Sequence, residues 1–434
     1  QHRARAWGDI YIMPTLLSFS SASKLQTFLG RLRERIAHHD ALRTLVMWDG
    51  LEEPVQVVLR HADLTVLQLE PHHDASDAVE QLKGRFDPRY YRFPLDAAPM
   101  ARVVVQHDRA HGRWLMLLLV HHLAIDHTTL EVLLSEIAHK RCEQIDDAPP
   151  QLRFRDVVAR ARLGTPPVEH EAFFRRMLGD VTETAAPFGV TSVLAEDAEI
   201  NEALSSLAQA LSARVRTCAQ GLGVGVASFM HFAWALLLAR TSGRSDVVFG
   251  TVMSLRVGGG AETARVAGMF INTLPLRVRF DDRSVLECLR ECHASLTEMI
   301  GHGHASLTLA GVCSGVRAPK PLILALFNYR HSGAARHVAV ELDAVDPEMR
   351  VLWTQERSNY PLGMSVDDTG ERIVIGAQAG APVPASRLCE LMQSAVTNLL
   401  DALEHAPHTH AREIGLLSAR EREQVTRRWN ETRR

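Results

Sequence analysis

The sequence lacks any apolar run long enough to cross a membrane. Its longest continuous apolar stretches cover residues 114–120 and 232–239, whereas a membrane-spanning helix needs about 20 apolar residues. The first five residues, Gln-His-Arg-Ala-Arg, lead into no apolar core of the kind that a secretory signal peptide requires. We therefore expect no membrane segment. Because residue 1 is not Met, we expect the chain to be a segment of a longer protein.

An excess of charge of one sign is also lacking. The 434 residues include 48 Lys and Arg and 51 Asp and Glu, which gives a net charge of -3. A nucleic-acid-binding protein needs a basic surface to offset the phosphate charge, and neither half of this chain has a basic stripe. We therefore expect no nucleic-acid partner.

Cysteine is scarce, and the six residues present form no CxxC pair. Cys288 and Cys292 stand one helical turn apart and are followed by His293, but no second ligand pair is near them in the sequence. Structural zinc sites need four ligands, which usually come as two such pairs. We interpret these cysteines as a buried, reduced helix face. We expect no metal site and a cytoplasmic location, where thiols stay reduced.

What the sequence does contain is an alternation of strand-like and helix-like segments. With 46% hydrophobic and 23% charged residues it has the composition of a globular protein, and the alternation predicts two mixed α/β units of similar size. We place an N-terminal lobe at residues 1–165, a connector at 166–200, a C-terminal lobe at 201–412 and a linker at 413–434.

Several segments have clear local patterns. Residues 9–19 are predicted to form an edge strand, because Pro14 cannot donate to a central ladder. Residues 101–106 and 114–120 are predicted to form a hairpin, whose second strand is apolar throughout and therefore buried on both faces. The spacing of apolar residues over 204–220 predicts an amphipathic helix.

The stretch V-H-H-L-A-I-D-H-T-T-L-E, at residues 120–131, joins that buried strand to a predicted helix. Thr128 is predicted to cap the helix, with Glu131 as its reciprocal partner in a capping box. The loop before the helix therefore occupies a place where α/β sheets commonly bind ligands.

Residue types alone leave three interpretations of His121 and His122. A shared metal ion is disfavoured, because neighbours at a strand end point to opposite faces. Both can be ordinary packed or solvent-facing histidines. One of them can instead serve in acid–base catalysis near neutral pH, with Asp126 bonded across to an arginine. No serine or cysteine nucleophile stands beside them, so direct transfer between two substrates is then expected.

A second histidine pair shows that such a pair alone decides nothing. His38-His39-Asp40 ends a predicted amphipathic helix, where the helix dipole favours cationic histidines without any catalytic role.

Six stretches together carry a family resemblance. They are H-H-D-A-L-R-T (38–44), H-H-L-A-I-D (121–126), F-R-D-V-V (154–158), S-D-V-V-F-G-T (245–251), G-M-F-I-N-T-L-P-L-R (268–277) and E-R-S-N-Y-P-L (356–362). The second matches the HHxxxD signature of condensation domains of nonribosomal peptide synthetases, and the others resemble that family's motifs in the family's order. The segment L-L-S-A-R-E-R-E-Q-V-T-R-R-W-N-E-T, at 416–432, resembles the linker that leads into an adenylation domain.

The resemblance implies a fold of two chloramphenicol acetyltransferase-like lobes, arranged as a V-shaped pseudo-dimer with a central tunnel. Donor and acceptor peptidyl carrier domains would deliver thioesters on phosphopantetheine arms, an adenylation domain would be adjacent, and the domain itself would bind no cofactor. The implied reaction is peptide-bond formation, in which the acceptor's α-amine attacks the donor thioester.

The resemblance also implies roles for individual residues. His122 would be the catalytic histidine, either as a base or by positioning the amine, and His121 would face the interior and hold the loop. Asp126 would be structural and paired with Arg277. The side-chain amide of Asn328 would lie near the reacting centre.

Two departures from the family pattern leave other functions open. His127 stands where the family has glycine, so its side chain is expected to narrow the substrate channel or shift the loop. The family's first motif, of the type S-x-A-Q-x-R-x-W, is missing. The alternatives are an epimerisation domain, a non-catalytic recruitment or docking domain, and a free-standing acyltransferase that uses coenzyme A. The linker at 416–432 argues against the first and the last.

Overall fold

Strands and helices alternate along the chain. The structure, a computed structural model, describes residues 8–70, 77–138, 153–194, 198–256, 266–331 and 348–426. Up to residue 194 the elements are β1 (Ile12–Phe19), α1 (Ala22–His38), β2 (Thr44–Met47), β3 (Val55–Val58), β4 (Thr65–Leu69), α2 (Ala78–Arg85), β5 (Ala101–Asp108), β6 (Arg113–His121), α3 (His127–Ala138), α4 (Phe154–Leu163) and α5 (Pro167–Leu178).

The remaining elements continue the alternation. They are β7 (Ile200–Ser206), α6 (Gln209–Leu222), α7 (Val226–Ser242), β8 (Asp246–Ser254), β9 (Ile271–Arg279), α8 (Val285–Ile300), α9 (Leu307–Val312), β10 (Ala325–His331), β11 (Met349–Thr354), β12 (Leu362–Asp368), β13 (Ile373–Gly380), α10 (Ala385–His405) and α11 (Ala419–Thr426).

These elements form two compact units, as the sequence predicts. The first comprises the described parts of Gln1–Arg162, Arg256–Ile271 and Ala335–Ser358, and the second comprises the described remainder. The sequence-based division differs in treating the C-terminal lobe as continuous over 201–412. Two of its segments belong to the first unit, because contacts between distant parts of the chain, which sequence spacing does not reveal, decide membership.

The first unit is built on a five-stranded sheet with the strand order β11-β1-β6-β5-β4. The predicted hairpin of β5 and β6 is confirmed, and β6 is buried almost throughout. The prediction of an edge strand at residues 9–19 is wrong, since β1 pairs with both β11 and β6. Pro14 is tolerated because the pairing with β11 begins at Thr15, so the missing donor falls outside that ladder.

Helix α1 packs on this sheet through a stripe spaced three and four residues apart, which includes Leu25, Phe28 and Leu32. At its amino end, the Ser21 side chain accepts a hydrogen bond from the backbone N–H of Lys24 and caps the helix. The helix therefore covers one face of the sheet that carries the histidine pair.

The second unit has a six-stranded sheet with the order β7-β13-β12-β10-β8-β9. Helix α7 is buried on all sides along most of its length, as its almost continuously apolar sequence implies. The predicted helix over 204–220 begins too early: residues 200–206 form β7, which pairs antiparallel with β13, and the helix starts at Gln209. The edge strand β7 alternates half-buried and exposed residues, a pattern with the period of a strand.

The start of the predicted linker at 413–434 packs on the second unit. The amide of Asn398 donates to the carbonyls of Gly415 and Leu417, and Leu416 is buried. The rest of that prediction reaches residues 427–434, which lie outside the described residues.

The described residues contain no single helix that is long and apolar enough to span a membrane. Helices α6 and α7 taken together have the length and the apolar composition of a membrane span, but the pair is bent by 108° where the two helices join. Cys288 and Cys292 are buried on α8, as the sequence predicts.

We predict that Leu119→Ala, in the middle of β6, lowers the free energy of unfolding by about 2–5 kcal/mol. Leu119 is fully buried, and truncation removes its contacts and leaves a cavity. The measurement is urea denaturation. Leu67→Ala, on the exposed face of β4 in the same sheet, is the matched control. A similar loss for both variants contradicts the central position of β6.

Candidate active site

His121, the last residue of β6, is buried with only 3% of its surface exposed. The backbone N–H of Leu123 donates to its Nδ1 at 3.0 Å, so Nδ1 carries no proton. The other nitrogen, Nε2, lies 3.1 Å from a carboxylate oxygen of Asp9 and therefore donates to it. His121 thus holds the loop in one fixed tautomer and joins it to the residues before β1.

His122 is held by its backbone. Its N–H donates to the carbonyl of Tyr11 at 2.9 Å, which continues the pairing of β1 with β6. Burial lowers the pKa of the imidazole, while the nearby Glu356 carboxylate and a hydrogen bond to the Ile125 backbone act in the opposite direction. The ring is therefore neutral at pH 7, and a neutral imidazole has one nitrogen that can accept a proton.

Asp126 is the residue that caps α3. It is almost fully buried, and its Oδ1 accepts a hydrogen bond from the backbone N–H of Thr129 at 2.7 Å. The prediction that Thr128 caps the helix, with Glu131 in a capping box, is wrong, because the helix begins at His127. Asp126 and Thr128 are both residue types that cap helices. The buried Asp126 is the one whose side chain accepts a hydrogen bond in the first turn.

The motif segment at 268–277 reaches Asp126 through its backbone. The N–H of Phe270 donates to Asp126 Oδ2 at 3.0 Å, and the carbonyl of Gly268 lies 2.7 Å from the Thr129 hydroxyl. A Cβ at position 268 would lie 2.4 Å from the ring of Phe154, so only glycine fits this close approach. Phe154 also packs edge-on against Phe270 at 5.4 Å.

Arg256 is the cation that pairs with Asp126, at 3.2 Å. Its guanidinium also donates to the hydroxyl of Thr129 at 2.6 Å and lies 4.1 Å from the centre of the Phe270 ring. Sequence reasoning missed this residue. A single arginine before a glycine run has no periodicity or motif that would have identified it.

The predicted pairing of Arg277 with Asp126 is wrong. Arg277 lies on β9 in the second unit, where it binds Asp246 at 2.6 Å and also forms an ion pair with Asp180. These contacts lower the pKa of Asp180 to about 2, mainly through the hydrogen bond from Arg277. The arginine at the end of the motif therefore stabilises the second unit.

Asn328 lies in the middle of β10 in the second unit, opposite Ser365, and is partly buried. It alternates with the buried Phe327, so its amide is on the less covered face of the sheet. That the Asn328 amide lies near the reacting centre remains a prediction.

His127, which stands in the place of the family's glycine, bridges two carboxylates. Its Nδ1 is 2.8 Å from Oε1 of Glu356, and its Nε2 is 3.3 Å from Oε1 of Glu131. Its side chain is 32% exposed. Glu131 therefore binds the first residue of α3, not the predicted cap Thr128.

The second histidine pair has a structural place. His39 is buried, and its Nε2 lies 3.0 Å from a carboxylate oxygen of Glu136 on α3. The interpretation of both residues as cationic at a helix end does not hold for His38, because burial lowers its pKa. In the described part of the chain, no group of three or more His, Cys, Asp or Glu is arranged to hold a metal ion.

Comparisons with known proteins agree on one family. The model of the condensation-domain family matches residues 4–426. The chain is 38% identical to malpinin synthetase and 39% identical to malpibaldin synthetase, both of Mortierella alpina, over 98% and 99% of its own length. It covers 5% and 8% of those relatives, so it spans less than a tenth of their length.

Solved structures show the same fold. A four-domain nonribosomal peptide synthetase bound to AMP and glycine matches 96% of this chain and 33% of its own, with a TM-score of 0.75 at 12% identity. The first condensation domain of the calcium-dependent antibiotic synthetase, in complex with a substrate analogue, gives 0.67 at 18% identity, over 94% of this chain and 95% of its own. These likenesses confirm the predicted chloramphenicol acetyltransferase-like fold.

We predict that Asp126→Asn lowers the free energy of unfolding by about 3–5 kcal/mol, because the Arg256 charge is left buried without its partner. Arg256→Gln should have a similar effect, and the double variant should lose less than the sum of the two. Thermal or urea denaturation of the single and double variants gives the coupling. Arg277→Gln is the control: coupling of Asp126 to Arg277 in place of Arg256 contradicts the assignment.

Proposed function

The chain belongs to the condensation-domain family, and on this premise we propose that it forms an amide bond between two carrier-bound substrates. The α-amine of an acceptor aminoacyl thioester attacks the carbonyl of a donor acyl or peptidyl thioester. The new C–N bond forms, the donor C–S bond breaks, and the thiolate leaves with the proton that the amine gives up. The observation that carries the proposal is the partly buried, neutral imidazole of His122 on a rigidly held loop.

A neutral imidazole suits either of two roles at this step. It can accept the proton of the attacking amine, or it can hold the amine by a hydrogen bond while the tetrahedral intermediate forms. One ring nitrogen is oriented by the Ile125 backbone, so the other nitrogen is the one that faces the substrate.

His121 and Asp126 are assigned to the scaffold. His121 uses both ring nitrogens in hydrogen bonds within the protein, and Asp126 binds Thr129, Phe270 and Arg256. A group whose donors and acceptors are already used has no capacity left for a substrate proton, so the chemistry falls to His122.

The proposed partners are donor and acceptor peptidyl carrier domains with phosphopantetheine thioesters, together with an adjacent adenylation domain. Holding amine and carbonyl in reacting geometry supplies several kcal/mol through effective molarity, and no metal or bound cofactor is needed for this reaction. Asn328 is proposed to lie near the reacting centre.

We predict that His122→Ala abolishes amide formation while both carrier domains remain loaded, because the proton acceptor is lost. Intact mass spectrometry of the donor and acceptor carriers, with chiral analysis of the product, provides the measurement. His38→Ala, in the other histidine pair, is the matched control and should retain activity. An unchanged product yield with His122→Ala contradicts the assignment of His122 as the proton acceptor. Inversion of a carrier-bound residue would identify an epimerase, and inertness of the unaltered chain a recruitment domain.

We predict that His122 titrates below the 6.5 of an ordinary histidine, because burial disfavours the imidazolium. The ring is then neutral at pH 7 and becomes charged as the pH falls through its pKa. NMR of the chain labelled in histidine rings gives the titration, and the resonance is assigned by its loss in His122→Gln. A midpoint above 6.5 contradicts the effect of burial.

A further inference from the structure

His127 lies between two carboxylates, and this arrangement favours its charged form. Oxygens of Glu356 and Glu131 face its two ring nitrogens, at 2.8 and 3.3 Å. Both contacts are at ion-pair distance, and two negative charges beside the ring favour the imidazolium over the neutral ring. A cation in the first turn of a helix is disfavoured by the helix dipole. The two carboxylates are what stabilise it there.

Glu356 is fixed by its chain neighbours as well as by His127. The backbone N–H of Gln355 donates to the carbonyl of Pro14 in β1 at 3.2 Å. On the other side, Arg357 lies 3.9 Å from a carboxylate oxygen of Asp87. The backbone at residue 356 is therefore tied to β1, and the side chain is tied to α3.

The same strand fixes His122. The carbonyl of Tyr11, just before β1, accepts the hydrogen bond from the His122 backbone, three residues away from Pro14. Glu356 is the charged group that acts most strongly on the His122 ring to favour its protonated form, ahead of Asp126. The negative charge of Asp126 is paired with Arg256, and His121 acts in the direction opposite to Glu356 by lowering the pKa of His122.

We propose that His127 and Glu356 form a charge clamp, in which His127 is a positioning residue that holds the Glu356 carboxylate beside the ring of His122. The inference rests on the proposed function. When His122 takes the proton of the attacking amine it becomes cationic, and the clamped carboxylate stabilises that cation. A glycine at position 127 has no side chain to hold Glu356, so the clamp is a property of chains with histidine there.

The experiment is the NMR titration of His122 in the 434-residue chain, compared between Glu356→Gln and Glu131→Gln. Glu356→Gln should move the midpoint down by about 0.5 to 1 unit, the lower end of the range for a nearby opposite charge in a partly exposed site. Glu131→Gln is the matched control, because Glu131 contacts Nε2 of His127, whereas Glu356 contacts Nδ1. It should shift the midpoint of His122 by less than half as much. Both variants should keep the melting temperature of the unaltered chain within a few degrees.

The coupling between the two clamp residues is tested in a second background. In His127→Gly, the change Glu356→Gln should move the titration midpoint of His122 by less than half of its effect in the unaltered chain, because the ion pair of Glu356 with His127 is lost. His127→Gln, which retains one hydrogen-bond donor, should restore part of that effect. An unchanged midpoint in Glu356→Gln overturns the clamp, as does an equal shift in Glu131→Gln or an undiminished shift in the glycine background.

Activity separates this inference from the proposed function. In single-turnover amide formation, Glu356→Gln should lower the rate roughly three- to tenfold with little change in the carrier concentration needed, since a pKa change of half to one unit alters a proton-transfer equilibrium by that factor. If the midpoint of His122 shifts as expected but the unaltered chain forms no amide, the clamp stands and the proposed function fails. If amide forms but Glu356→Gln changes neither midpoint nor rate, the clamp fails alone.

Discussion

The carboxylate of Asp126 is the interaction on which the histidine loop depends. It is almost fully buried and receives hydrogen bonds from α3, from the backbone at Phe270 and from Arg256. A buried carboxylate is costly unless it is paired and hydrogen-bonded, so each of these groups is required by the others. The loop from His121 to Asp126 therefore has a fixed end at the start of α3, and the position of the His122 ring follows from it.

The other end of the loop is fixed by β1. That strand lies between β11 and β6, and the residues just before it supply the Tyr11 carbonyl for His122 and the Asp9 carboxylate for His121. A side chain that is held mainly through its backbone keeps polar atoms available for a substrate. The roles in the pair divide accordingly: His121 uses both ring nitrogens in hydrogen bonds within the protein, whereas His122 is held by its backbone and by one ring nitrogen at the Ile125 backbone.

Sequence reasoning predicted the parts of this arrangement that depend on local patterns. The β5–β6 hairpin and the buried cysteines of α8 follow from spacing and chemistry within a few residues. The errors came from contacts between distant segments. Pro14 is typical of an edge strand, but β11, which lies more than 300 positions later in the sequence, pairs with β1 from Thr15 onward. Arg277 was chosen over Arg256 because it ends a recognisable motif, whereas the ion pair depends on where each segment folds.

Two carboxylates act on the His122 loop, and they differ in what neutralises them. Asp126 is paired with a guanidinium, which keeps its proton at any pH a protein tolerates. Glu356 is paired with His127, an imidazolium that can lose its proton. The carboxylate that caps α3 is therefore held by a guanidinium, whereas the carboxylate beside the His122 ring is held by an imidazole. In the proposed clamp, His127 therefore acts on the electrostatic surroundings of the His122 ring and not on the contacts of Asp126.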